Sequence, residues 1–85
     1  ITLDDEAGLQ QKDVALAYNQ EVAVENVEKL TMLVTSAPVQ VTIAVDDGEI
    51  ILTVSDYFLL SAAMDSITVK NVTSGTTAKI RLITN

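Results

Sequence analysis

The side chains that most often do chemistry are missing from this sequence. It has no histidine and no cysteine. That removes the commonest general base, the usual transition-metal ligands and all thiol and disulfide chemistry. Serine and threonine hydroxyls are present, but no imidazole can activate them and no Gly-x-Ser-x-Gly elbow presents a serine. A Ser–Lys pair would need a desolvated lysine, and Lys12, Lys29, Lys70 and Lys79 fall at positions expected to be exposed. What remains is carboxylate chemistry. Asp4-Asp5-Glu6 and Asp46-Asp47 could in principle supply the acid and base of glycoside hydrolysis. The first lies in a polar end segment and the second at a hairpin tip, and neither position offers the walled cleft that shifts a carboxyl pKa. Asp46, Asp47 and Glu49 are the best calcium candidates, yet the EF-hand spacing is absent and aspartate is a preferred turn former. The chain is therefore expected not to be an enzyme, and to hold no metal and no cofactor.

Binding chemistry leaves fewer exclusions. Only Tyr18, Tyr57 and Phe58 are aromatic. Tyr57-Phe58 is thus the one cluster on which a sugar ring could stack, and it is the possible ligand contact; filling a core or an interface is the commoner use of such rings. Asn71-Val72-Thr73 matches the N-glycosylation pattern, a short motif that arises readily by chance. Gly8, Gly48 and Gly75 are too scattered for a phosphate-cradling loop. The net charge of −7 disfavours nucleic acid, because phosphate contacts need Lys and Arg. Most of the acids precede position 50, whereas Lys70, Lys79 and Arg81 lie near the other end. That asymmetry serves solubility, and it could also match subunits head to tail.

The elements that would position these groups show a period of two. In Val39-Gln40-Val41-Thr42-Ile43-Ala44-Val45 the valines and isoleucine share one face. Asp46-Asp47-Gly48 then turns the chain into Glu49-Ile50-Ile51-Leu52-Thr53-Val54, with Ile50, Leu52 and Val54 in the inner row. A three-residue turn ending in a positive-φ glycine fits this hairpin. Residues 66–71 and 76–83 read as a second hairpin around Thr73-Ser74-Gly75, with Ile67, Val69, Ala78, Ile80 and Leu82 in the core. Residues 30–35 lead through Ser36-Ala37-Pro38 into 39–45 as a third. Residues 13–18 and 21–25 read as two further strands. Residues 57–60 read as a short strand, a helix capped by Ser55 or Asp56 being the alternative. The expectation is an all-β, small antiparallel β-sandwich, jelly-roll-like, with seven to eight short strands.

Eighty-five residues make one domain, here 13–85, preceded by an N-terminal arm or flexible end over 1–12. The sequence opens on Ile1, not Met, which fits a fragment or a processed product. Its first residues are acidic where a signal peptide is basic, and no apolar run of membrane-spanning length occurs. A domain this small buries only roughly 60–65% of its unfolded surface, while 48% of the chain is apolar. Burial against another subunit is a natural outlet. Leu33, Ile51 and Ile83 break the alternation as outward aliphatics and are the interface candidates.

The run Asp65-Ser66-Ile67-Thr68-Val69-Lys70-Asn71-Val72-Thr73-Ser74-Gly75-Thr76-Thr77-Ala78-Lys79-Ile80 resembles the closing hairpin of small jelly-roll domains in tailed-bacteriophage structural proteins. Phe58-Leu59-Leu60 before a loop is similar to a habit of the same family. The resemblance covers about residues 30–85. It implies a virion module for capsid decoration, fibre or tail, commonly trimeric, bound to copies of itself and to other structural proteins. No catalytic residues carry over from it. A host-surface glycan- or receptor-binding sandwich is the alternative function.

Overall fold

The computed structural model describes residues 10–85. Eight strands follow one another: β1 (Gln10–Leu16), β2 (Glu21–Val27), β3 (Thr31–Thr35), β4 (Val39–Val45), β5 (Gly48–Val54), β6 (Tyr57–Leu60), β7 (Met64–Asn71) and β8 (Ala78–Thr84). They form two four-stranded sheets, sheet A in the order β1-β8-β3-β6 and sheet B in the order β2-β7-β4-β5. Every pairing is antiparallel. The smallest dimension is 16 Å, as expected for two sheets packed about 10 Å apart. Strand β1 begins at Gln10 opposite Thr84, so it includes three residues assigned above to the arm. The rest of that arm, residues 1–9, lies outside the described residues.

The pairings are nested. Strand β1 pairs β8, β2 pairs β7, β3 pairs β6 and β4 pairs β5. The chain is one long hairpin with its tip at Asp46-Asp47, rolled so that β3 also meets β8 and β4 meets β7. This is jelly-roll topology, and the small antiparallel sandwich expected from the alternation is what forms.

Two of the three expected hairpins are not hairpins. Strands β3 and β4 lie in opposite sheets, as do β7 and β8. For β7 and β8 the period-2 pattern assigned the inner row correctly, since Ile67 and Val69 join Ala78, Ile80 and Leu82 in one core. What it did not specify was whether successive strands pair beside or across from each other. Both situations bury the same alternate row. The connections show why the chain crosses over. At Ser36-Ala37-Pro38 the Thr35 hydroxyl donates to the Ala37 carbonyl at 2.6 Å, and the Ser36 Oγ accepts from the Lys79 amide at 2.9 Å. The first bond shapes the bend itself; the second, with the Ser36 amide donating to the Lys79 carbonyl at 3.0 Å, ties it to β8.

The β7–β8 connection is fixed by Asn71, which is fully buried. Its side-chain amide donates to the carbonyls of Leu16 (2.9 Å) and Thr76 (2.7 Å), and its Oδ1 accepts from the Thr73 amide at 2.8 Å. The glycosylation pattern thus centres on an asparagine whose donors are both used inside the fold.

Only the β4–β5 hairpin forms, with a connection one residue shorter than the three-residue turn expected. Gly48 pairs directly with Val45, leaving Asp46 and Asp47 as the connection. Gly48 has φ +147°, the positive value expected of a glycine ending this turn. Residues 57–60 are a strand, because Phe58 faces Leu33 and Leu60 faces Thr31 across the β3–β6 ladder. Alternation lapses at Asn26, whose φ of +60° bends β2, and beyond it Val27 and Met64 are buried as a pair.

A candidate interaction surface on the β5–β6 flank

Strand β3 reads Thr-Met-Leu-Val-Thr, and its row polarity is the reverse of the simplest one. Thr31, Leu33 and Thr35 point inward, and Met32 and Val34 point out. The two threonines enter the core because their hydroxyls have partners there, Met64 Sδ for Thr31 and the Ala37 carbonyl for Thr35. Leu33 is 0% exposed and packs in the central cluster. It is not an outward residue, and its place among the interface candidates is corrected.

The outward row of β3 continues into β6. Val34 lies opposite Tyr57 and Met32 opposite Leu59. Tyr57 is 60% exposed, and Val34 and Leu59 are also well exposed. Phe58 points the other way, against the core. The adjacent aromatics therefore face opposite sides of the sheet, and Tyr57 alone is available to a ligand. Ile83 sits on the same outer face, between Gln11 and Met32, but only 6% of it is exposed. Of the three aliphatic candidates, Ile51 is the one the fold leaves open. It stands opposite Thr42 on the outer face of sheet B, 60% exposed.

Ile50 joins it for a different reason. It belongs to the inner row of β5, opposite Ile43. Strand β6, the next strand in the chain and the edge of the other sheet, ends after four residues while β5 runs for seven. The end of β5 is left uncovered and Ile50 is about half exposed. Strands β5 and β6 are the two edges on one flank of the sandwich. Ile50, Ile51, Tyr57, Leu59 and neighbouring Val34 make up five of the seven large exposed hydrophobics among the described residues.

The opposite flank is charged. Strand β1 carries Gln10, Gln11, Lys12 and Asp13, and β2 carries Glu21 and Glu25. The Arg81 Nε donates to Asp13 Oδ1 at 3.0 Å across the β1–β8 ladder. That bond holds the Asp13 carboxyl below its ordinary pKa and raises the Arg81 guanidinium. Both groups are solvent-exposed, so the pair orients side chains more than it stabilises the fold. An open depression of about 570 Å³ on the outer face of sheet A borders this pair and reaches Val34, Ser36 and Lys79. Among the described residues, no three acidic side chains converge as metal ligands would. Asp46 and Asp47 form the tip of the β4–β5 hairpin. No helix in the described residues is long and apolar enough to cross a membrane.

No protein-family model matches the chain, and no curated protein matches it. Among solved structures it is similar to a cupin-2 domain containing protein from Shewanella frigidimarina, with 18% identity and a TM-score of 0.52 over 98% of this chain and 72% of the other. The likeness is to the fold alone. It supports the small jelly-roll sandwich and overturns the bacteriophage resemblance, since the similar structure is a bacterial cupin-2 domain protein. The closing hairpin that carried the resemblance is also not a hairpin, because β7 and β8 lie in different sheets.

Proposed function

We propose that this chain is a non-enzymatic assembly module that associates with copies of itself through the β5–β6 flank. The observation that carries this reading is the gathering of exposed Val34, Ile50, Ile51, Tyr57 and Leu59 on or beside one flank, whose two edge strands have no second strand partner among the described residues. Edge strands of isolated domains are usually blunted by charge, proline or a bulge. The β1–β2 flank has charges and the Asn26 distortion; β5 and β6 together have one charged residue, Glu49. Self-association hides both the apolar side chains and the open backbone groups. A glycan-binding role would have Tyr57 as its single stacking ring, and its aliphatic neighbours suit a protein surface better. The virion setting and the trimer lose their support with the bacteriophage resemblance and are not part of the proposal.

Sedimentation velocity tests the reading. The native chain should sediment as an oligomer at micromolar concentration, and the Tyr57→Ser/Leu59→Ser double variant should shift towards the 9.1 kDa monomer. A native chain that stays monomeric into the millimolar range would remove the proposal.

A further inference from the structure

The flank offers two edges, and β5 is the one built to meet a second copy. We infer that two chains pair β5 against β5 in antiparallel register about a two-fold axis at Ile51, joining two copies of sheet B into one eight-stranded sheet. This inference rests on the proposed self-association and specifies its geometry.

Strand β5 is seven residues long, Gly48-Glu49-Ile50-Ile51-Leu52-Thr53-Val54, against four for β6. It has no proline and no lysine, and Glu49 is its one charge. Its free side therefore presents an unblunted row of backbone donors and acceptors, the template for strand addition. An isologous contact requires the strand to complement itself. With the axis at Ile51, the centre of the strand, all seven residues find partners: Ile51 meets Ile51, Ile50 meets Leu52, Glu49 meets Thr53 and Gly48 meets Val54. No like charges oppose one another. Aliphatic residues meet aliphatic residues, the favourable cross-strand combination.

Neighbouring registers are poorer. An axis at Ile50 sets the Glu49 carboxylate against the exposed Ile51. An axis at Leu52 brings Gly48 opposite Asp56 and pushes Glu49 against Ser55, beyond the end of the strand. The favoured register also accounts for both half-exposed isoleucines. Ile51 is covered on the outer face by its own copy, and Ile50 on the inner face by the other chain's Leu52. An axis perpendicular to sheet B brings the β6 side of one copy towards that of the other, so Tyr57 and Leu59 border the same seam.

The test is charge exchange on the axis. Ile51 is an exposed edge residue on the outer face, so Ile51→Lys and Ile51→Glu should each fold, as circular dichroism will show. Each should weaken the dimer at least tenfold, because like charges would then face each other. An equimolar mixture of the two should restore it, because Lys then faces Glu. Mixing that fails to rescue the dimer, or variants that dimerise like the native chain, would overturn the β5 register while leaving self-association standing. A native protein that is monomeric throughout would overturn both. If either charged variant fails to fold, cysteine cross-linking decides, and the absence of native cysteine makes it clean. Ile51→Cys alone should form a disulfide dimer on mild oxidation. Glu49→Cys and Thr53→Cys should do so only when mixed; equal cross-linking by all three single variants would contradict the axis.

Discussion

Leu33 and Ile51 are both aliphatic residues that interrupt a simple alternation, and the fold uses them in opposite ways. Leu33 lies opposite Leu82 in the middle of sheet A and is completely enclosed. Ile51 lies on an edge strand with one neighbour, Thr42. Truncating Leu33 to alanine removes buried methyl groups and leaves a cavity, at a cost of about 3 kcal/mol. Truncating Ile51 should cost the monomer less than about 0.5 kcal/mol, as for most surface changes. Urea denaturation of the two variants at concentrations too dilute for association will show the difference. Similar losses would mean that the inward and outward rows are wrongly assigned. The sequence alone could not separate these residues. In Thr31-Met32-Leu33-Val34-Thr35 the row with two threonines is the inward one, because the Thr35 hydroxyl is met by Ala37 in the local bend and that of Thr31 by Met64, 33 positions away. Tyr57 and Phe58 were separable in principle, since neighbours in a strand must face opposite ways.

At the scale of elements, the strands were legible because alternation over 39–45 is regular and turn-forming runs such as Ser36-Ala37-Pro38 and Asp46-Asp47-Gly48 separate them. Their pairing was not. A nested roll and a series of hairpins bury the same alternate residues, and the choice depends on bonds such as Asn71 to Leu16, 55 positions apart. The one local hairpin was legible because Gly48 marks it. No atom approaches the position a Gly48 Cβ would take, and its φ is +147°. A Gly48→Ala change therefore tests backbone strain without a clash. It should cost about 1–2 kcal/mol, measured as a lower denaturation midpoint with an unchanged slope. A neutral effect would mean that the turn relaxes to a conformation open to any residue.

The whole molecule is a thin sandwich with two unlike flanks. The β1–β2 flank carries charge and an irregular strand; the β5–β6 flank carries exposed aliphatics, a tyrosine and open edges. A sandwich of this size has little interior, so apolar residues beyond its capacity must go to a surface. Five of the seven large exposed ones among the described residues lie on or beside the β5–β6 flank, and that is what supports the proposed assembly role. The excess of aliphatic residues was visible in the composition, but their gathering on one flank depends on the roll that pairs β3 with β6 in one sheet and leaves β5 at the edge of the other. Hydrogen exchange of backbone amides as a function of protein concentration tests this most directly. The account predicts that amides of 48–54 and 57–60 gain protection as concentration rises through the association range, while those of β1 and β2 do not change. Protection independent of concentration, or gained at β1 and β2 instead, would contradict it.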